Sequence, residues 1–178
     1  MENIKNENIE KKHTIKDSLK ELMPYVFVIL SVVLIRTYLF TPIKVNGTSM
    51  DDTLHDGDTM ILNKITLSLN ELERFKIVVI EVGDTYLIKR IIGMPGETIE
   101  YKDGKLYIND KEMEDPYYED NNTLDFDKVT IPKGHYFVMG DNRSISSDSR
   151  IIGTISKKNI LGTTNLVLFP FNDFGFVD

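Results

Sequence analysis

Cysteine is absent from the 178-residue sequence, which excludes a disulfide framework, a thiolate nucleophile and a thiolate metal site. Basic residues are in the minority, with 21 Lys and Arg against 28 Asp and Glu and a formal net charge of −7. Lys and Arg form no stripe that could bind phosphates along one face. Nucleic acid is therefore not expected as a partner.

Histidine is scarce, with three in the chain. His13 precedes the long apolar run described below, and neither His55 nor His135 stands in a catalytic signature. The sequence therefore does not indicate a Ser-His-Asp triad. A Ser-Lys dyad is the remaining pair of nucleophile and base that the chain offers.

Metal ligands other than carboxylates are correspondingly few. Asp51, Asp52, Asp56 and Asp58 lie close together in the sequence, but their spacing does not match the calcium loop of an EF-hand. We therefore expect neither a metal ion nor another cofactor.

Long hydrophobic runs are limited to one, from Pro24 to Phe40, which approaches the ~20 residues that span a bilayer. Its single charge, Arg36, lies near the C-terminal end, where a long side chain can reach the membrane interface. Lysines precede the run, so the positive-inside rule places residues 1–23 in the cytoplasm and residues 41–178 outside. The pattern predicts a single-pass protein of the cell membrane with an extracytoplasmic domain.

Two alternatives for this run remain open. A cleaved secretory signal is disfavoured because no small-residue cleavage pair follows Phe40. A buried helix of a soluble domain is disfavoured because residues 26–34 contain only Ser31 as a polar member.

Beyond residue 40 the apolar residues form short runs separated by turn residues, a pattern that predicts β-strands. The clearest runs are at positions 76–80, 86–92, 105–108 and 135–139. Asp103-Gly104 is a hairpin turn signal, and the expected fold is mostly β, with antiparallel sheets after one N-terminal transmembrane helix. Residues 110–127 are rich in Asp, Glu and Asn, and we predict a solvated loop without a chemical role there.

Lys89 is the first candidate for chemistry, because strand alternation places it on the same face as Leu87 and Ile91. Burial on an apolar face lowers the pKa of a lysine and yields a neutral amine that can accept a proton. A lysine at a sheet edge whose ammonium reaches solvent fits the same pattern. Spacing alone does not decide between the two.

Ser49 is the second candidate, in the sequence Asn-Gly-Thr-Ser-Met, where Gly47 allows a sharp turn or a close approach of the backbone to a ligand. A third polar segment, residues 140–150, directly follows an apolar strand. Asp148 and Arg150 lie on one face of it if the segment is extended, although a surface turn is an equally simple interpretation.

Taken together and in this order, these segments resemble the motifs of type I signal peptidases. Residues 47–54 resemble the Ser-Met-x-Pro-Thr-Leu box, and residues 86–97 resemble the lysine box. Residues 140–150 resemble the Gly-Asp-Asn-Arg-x-x-Ser-x-Asp-Ser-Arg box. With the N-terminal apolar run, the resemblance covers nearly the whole chain.

The resemblance implies a membrane-bound serine endopeptidase that removes signal peptides from exported preproteins and cuts after Ala-x-Ala. Ser49 is then the nucleophile, and Lys89 is the general base that later returns the proton to the leaving amine. Ser146 matches the position that hydrogen-bonds the lysine amine, and Asp148 and Arg150 match the pair that supports the site from behind.

The same resemblance implies how the substrate is held. The Ser49 backbone amide would donate to the oxyanion, and Gly47 stands where some relatives have a second, hydroxyl donor. An extended peptide would lie beside the Lys89 strand, with Met50, Leu87 and Ile88 as pocket walls. Expected partners are preprotein signal peptides and membrane lipid, with secretion machinery or pilins as further candidates.

Two departures from the family pattern leave a specialised role open. Asp52 stands where the nucleophile box has proline, and Arg74-Phe75-Lys76 stands where relatives have Arg-Gly-Asp. A non-catalytic relative that assists assembly of surface proteins such as pilins is therefore an alternative. A soluble, self-cleaving Ser-Lys regulator is another.

Overall fold

The computed structural model describes residues 15–69, 72–117 and 125–177. The chain divides into two units, Met1–Thr37 and Tyr38–Asp178. The described part of the first unit is helical. The second unit contains all the strands.

One long helix, α1 (Ile15–Tyr38), occupies the predicted apolar run but does not share its bounds. It begins nine residues before Pro24, and Phe40 lies in the first strand instead. Most of its apolar side chains from Leu19 onward are exposed. Among the described residues, no helix is both long enough and apolar enough to span a membrane.

The larger of two sheets has eight strands. In spatial order they are β1 (Phe40–Lys44), β2 (Thr59–Asn63), β11 (Ile160–Phe169), β3 (Ile77–Val82), β4 (Thr85–Gly93), β9 (His135–Met139) and β10 (Ile155–Ser156), with β12 (Gly175–Phe176) beside β11. The smaller sheet has four strands. Their order is β7 (Lys111–Met113), β6 (Lys105–Ile108), β5 (Thr98–Lys102) and β8 (Phe126–Thr130).

Every pairing between described strands is antiparallel, which confirms the predicted mostly antiparallel β fold. The hairpin predicted at Asp103-Gly104 joins β5 to β6, and both turn residues have positive φ angles, of 52° and 71°. Positive φ at both central residues is typical of the turns that match strand twist. Four short helices complete the described part of the chain. They are α2 (Ile65–Ser68), α3 (Ser149–Ile152) and the 3₁₀ turns Lys157–Asn159 and Phe171–Asp173.

Two clusters of buried apolar residues bear on the site. Ile92, Phe137 and Met139 of the large sheet pack with Ile99 and Leu106 of the small sheet, which joins the sheets through one core. The other cluster lies beneath the loop between β1 and β2. Its buried members are Val45, Met50, Leu54, Met60, Ile77 and Val167.

The solvated loop predicted for residues 110–127 differs from the structure at both ends. Residues 111–113 form β7 and Phe126 begins β8, while residues 118–124 lie outside the described part of the chain. The side chain of Asp115 is only 5% exposed because its carboxylate pairs with Arg143. An acidic composition favours solvent on average, but a buried cation reverses that preference at a single position.

Candidate active site

The loop between β1 and β2 presents Ser49. The loop is closed at its base by hydrogen bonds that join Val45 to Asp58 and Gly57 to Val45, with N–O distances of 2.8 and 3.0 Å. Gly47, with φ of +90°, makes the turn before the serine, and its amide donates to Asp56 Oδ1 at 2.7 Å. Because Met50 is buried directly after it, Ser49 is held half-buried at the surface of the core.

Lys89 lies on β4, opposite Val78 of β3. Its residue is 2% exposed, and its Nζ is 2.5 Å from Ser49 Oγ. Burial lowers the pKa of Lys89, although the carboxylates of Asp148 and Asp141 act to raise it. The two predicted dyad residues, forty positions apart in the chain, therefore meet, and the alternative of a lysine whose ammonium reaches solvent is excluded.

One edge of β4 is open beside the dyad. Residues 85–90 pair with β3, but β9 pairs with the other edge only from Arg90 onward, and no described strand covers residues 85–89 there. A cavity of about 620 Å³ follows this edge. Ser49, Lys89, Gly47 and the three predicted wall residues Met50, Leu87 and Ile88 all line it.

Asp148 and Arg150 form an ion pair behind the dyad, with Arg150 Nη2 at 2.8 Å from Asp148 Oδ2 and Nε at 2.8 Å from Oδ1. Asp148 also accepts from the Gly140 amide at 3.0 Å and caps α3. Burial acts to raise the pKa of Asp148, but Arg150 and the Gly140 amide outweigh it and lower the pKa. Asp148 is therefore a buried carboxylate that stays charged.

Ser146 lies in the site without the contact predicted for it. It is 6% exposed, and its Oγ makes no hydrogen bond to Lys89. A Cβ added at Gly140 would overlap both Ser146 Oγ and the Ser49 carbonyl oxygen. Gly140 therefore brings the residue-140 loop into close contact with the nucleophile loop.

Gly140→Ala should separate these two loops. We expect it to lower the free energy of unfolding by about 1–3 kcal/mol, because an extra methyl group must be accommodated in a packed site. Displacement of Ser49 should lower kcat by about 10- to 100-fold. Gly175→Ala is the control, since a Cβ at Gly175 meets nothing within 4 Å. Chemical denaturation and peptide cleavage measure the two effects, and equal behaviour of the two variants contradicts the packing argument.

A second buried ion pair was not predicted from the sequence. Arg90 donates to Asp141 through Nε at 2.9 Å and Nη2 at 2.7 Å, and both residues are buried. Thr53 of the nucleophile loop also donates to Asp141, at 2.7 Å. Strand alternation already placed Arg90 with Ile88 and Ile92, and this signal of burial could have identified it.

Both departures from the family pattern lie at left-handed backbone positions. Asp52 has φ of +85°, which a proline ring, fixed near −65°, cannot adopt. Phe75, where relatives have glycine, has φ of +68°. A proline therefore does not fit the backbone at position 52, whereas the φ of Phe75 is one that glycine adopts readily. Thr53, next to Asp52, and the Phe75 carbonyl both contact the Arg90–Asp141 pair.

One cluster in the described part of the chain has atoms close enough to hold a cation. Ligand atoms of His55, Asp58 and Asp173 lie within 4.8 Å of one another. His55 and Asp173 are exposed, and Asp58 Oδ2 already accepts from the His55 amide at 2.9 Å. Proximity of exposed groups does not by itself assign a metal. None of the three residues lines the cavity beside the dyad.

Comparison with known proteins shows the family to which the chain belongs. Residues 18–169 match the family described as signal peptidase, peptidase S26. Signal peptidase I of Bacillus licheniformis is 42% identical over 95% of this chain and 98% of its own length. Signal peptidase I T of Bacillus subtilis (strain 168) is 44% identical over 95% of each chain. The chain belongs to the signal peptidase I family.

A crystal structure of a signal peptidase I from Enterococcus faecalis V583 is also similar, at 35% identity and a TM-score of 0.48, over 52% of this chain and 95% of that chain. As a signal peptidase I, this protein is a serine endopeptidase that removes signal peptides from secreted preproteins. The activity implied by the sequence motifs is thereby confirmed.

Proposed function

We propose that Ser49 and Lys89 form the catalytic dyad of this signal peptidase. The observation that carries the proposal is the 2.5 Å separation of Ser49 Oγ and Lys89 Nζ, with the lysine buried. A buried, neutral amine at this distance can remove the hydroxyl proton. The Asp148–Arg150 pair supports the lysine from behind, whereas Ser146, predicted for the same role, makes no hydrogen bond to Lys89.

Ser49, Lys89 and one water molecule are sufficient for both acylation and deacylation. Ser49 Oγ attacks the scissile carbonyl carbon while its proton moves to Lys89 Nζ. The ammonium then returns that proton to the leaving amine as the peptide bond breaks, which leaves an acyl ester on Ser49. Water, deprotonated by the same amine, attacks the ester carbonyl carbon. The ammonium then returns the proton to Ser49 Oγ as the ester C–O bond breaks, which releases the carboxylic acid and regenerates the serine and the amine.

The oxyanion is stabilised by the Ser49 backbone amide. Gly47 offers no side-chain hydroxyl, and its amide is already used by Asp56 Oδ1 at 2.7 Å. This arrangement supports one main-chain donor in the loop and argues against Gly47 as the second donor. A single preorganised donor still contributes about 10²- to 10³-fold in kcat.

The substrate binds as an added strand on the open edge of β4, residues 85–89. Main-chain hydrogen bonds give affinity, and alternate side chains enter the groove. Met50, Leu87 and Ile88 line that groove and restrict it to small side chains, in support of cleavage after Ala-x-Ala.

Membrane lipid is the second proposed partner, bound through α1. At about 1.5 Å per residue, its 24 residues extend roughly 36 Å, compared with a hydrocarbon core of about 30 Å. The exposed apolar side chains of this helix, such as Phe27 and Ile29, support contact with lipid. The cytoplasmic N-terminus, the extracytoplasmic catalytic domain, and association with secretion machinery or pilins stay predictions.

Mass spectrometry of a preprotein incubated with the detergent-solubilised chain tests the proposed specificity. We expect one cut, directly after an Ala-x-Ala sequence, and no cut with Ser49→Ala. Cleavage by Ser49→Ala contradicts the dyad. Cleavage after large side chains contradicts the proposed groove walls instead.

The pH dependence of cleavage follows from the lowered pKa of Lys89. Only the neutral amine accepts a proton, so kcat should rise with pH through the Lys89 pKa and then reach a plateau. Because burial places that pKa below the ordinary lysine value of 10.5, the midpoint of the rise should lie below pH 10.5. An acid limb of kcat centred at the ordinary lysine pKa contradicts the role of burial.

A further inference from the structure

The segment Asp115-Pro116-Tyr117 connects the small sheet to the active site. It follows β7 within the acidic region that composition alone assigns to solvent. Instead of pointing away, its two titratable side chains each contact a buried arginine, one on β4 and one in the loop that follows β9. The two arginines, Arg90 and Arg143, lie on different elements of the site.

Tyr117 covers Arg90. The centre of the guanidinium lies 3.4 Å from the centroid of the tyrosine ring, a desolvated cation–π contact. Phe75 packs against the same ring, with centroids 5.6 Å apart, and its carbonyl accepts from Arg90 at 2.7 Å. Arg90 directly follows Lys89 and is bound to Asp141, so the ring packs on the arginine beside the base.

Asp115 forms an ion pair with the second arginine, Arg143. Its Oδ2 is 2.6 Å from Arg143 Nη2, and Tyr101 accepts from Nη1 of the same arginine at 2.6 Å. Arg143 Nε donates to the Gly140 carbonyl at 3.0 Å, and the Arg143 carbonyl accepts from Arg150 at 2.7 Å. Arg143 therefore connects the small sheet to the loop that carries Asp148.

We propose that Asp115 and Tyr117 are positioning residues for catalysis. Tyr117 acts through Arg90 to hold Asp141 in place beside the dyad, and Asp115 acts through Arg143 to hold the Asp148–Arg150 pair. The inference rests on the proposed Ser49–Lys89 dyad. Arg90 orients Asp141 and, through it, Thr53 of the nucleophile loop. Arg143 fixes the backbone that presents Asp148 and Arg150. Loss of either contact should misplace reacting groups without altering the groove that binds the peptide.

The test compares Tyr117→Leu, Tyr117→Phe and Asp115→Asn in the detergent-solubilised full chain. Tyr117→Leu and Asp115→Asn should lower kcat by about 10- to 100-fold, because small displacements of a dyad are costly. KM should stay within about twofold, since the groove residues are untouched. Tyr117→Phe keeps the ring over Arg90 and should retain kcat within about twofold.

Ile108→Val is the control for a general loss of stability. Ile108 is buried in the small sheet but contacts neither arginine in the interactions described above. It should lower the melting temperature without lowering kcat, with every rate measured well below the variant's own melting temperature. If Asp115→Asn does not fold, the Tyr117 pair decides.

Three outcomes overturn the proposal. They are a wild-type kcat in Tyr117→Leu, an equal loss of kcat in Tyr117→Leu and Tyr117→Phe, and an equal loss in Ile108→Val. Ser49→Ala, assayed in parallel, keeps the two hypotheses distinct. Activity of Ser49→Ala refutes the dyad, whereas a fully active Tyr117→Leu beside an inactive Ser49→Ala refutes only the positioning role.

Discussion

Lys89→Met should abolish cleavage while making the protein more stable. Without a base, Ser49 keeps its proton, and we expect kcat to fall by about 10⁴-fold or more. Methionine has a similar length and leaves no amine to desolvate, so the free energy of unfolding should rise by about 1 kcal/mol at neutral pH. Peptide cleavage and urea unfolding measure the two effects.

The size of the stability change depends on pH. Because the pKa of Lys89 is lowered by folding, the unfolded chain binds more protons between the folded pKa and 10.5, and wild-type stability increases with pH there. The advantage of Lys89→Met should therefore shrink as the pH approaches 10.5. Lys105→Met, at an exposed lysine, is the control and should leave cleavage unchanged. A less stable Lys89→Met variant contradicts the assignment of a desolvated amine.

Asp141→Ala should be among the most destabilising substitutions in the chain. It leaves the Arg90 guanidinium buried without its bidentate carboxylate, and removal of one partner of a buried pair costs about 3–5 kcal/mol. Cleavage should also fall, because Thr53 loses the carboxylate that holds the nucleophile loop. Urea unfolding measures the stability, and the cleavage rate is measured under conditions in which the variant is folded.

Two further variants distinguish the cost of leaving a buried charge unpaired from the cost of losing an ion pair. The double variant Arg90→Met with Asp141→Leu removes both charges and should recover much of the lost stability. Glu112→Ala breaks the exposed pair with Lys105 and should change the melting temperature little. If Asp141→Ala is no less stable than Glu112→Ala, the buried pair has no structural importance.

The dyad was predicted from ordered motifs, because neither of its residues is decisive alone. Strand alternation places Lys89 among apolar residues, and the turn at Gly47 precedes Ser49, but each pattern also fits a residue without a catalytic role. Ordered motifs then associated them across forty positions. The partners of Arg90 and Arg143 could not be predicted in this way, because alternation shows that a side chain faces the core but not which distant carboxylate it meets.

Segment boundaries were predicted less well, for a physical reason. Composition describes an average preference, and the acidic region 110–127 is polar on average, yet single residues in it have buried cationic partners. The helix likewise extends beyond the apolar run, since the polar residues before Pro24 include good helix formers such as Lys20 and Glu21. Tertiary contacts determine how far the acidic region is solvated, and helix propensity determines where the helix begins. Hydropathy reports neither.

The neutrality of Lys89 is the central claim, and titration of its amine by NMR tests it most directly. The full chain, labelled with ¹⁵N-lysine and solubilised in detergent, gives a ζ-nitrogen signal that Lys89→Met identifies by its loss. We expect that signal to titrate below the ordinary lysine value of 10.5. A Lys89 amine that titrates at or above 10.5 contradicts the account.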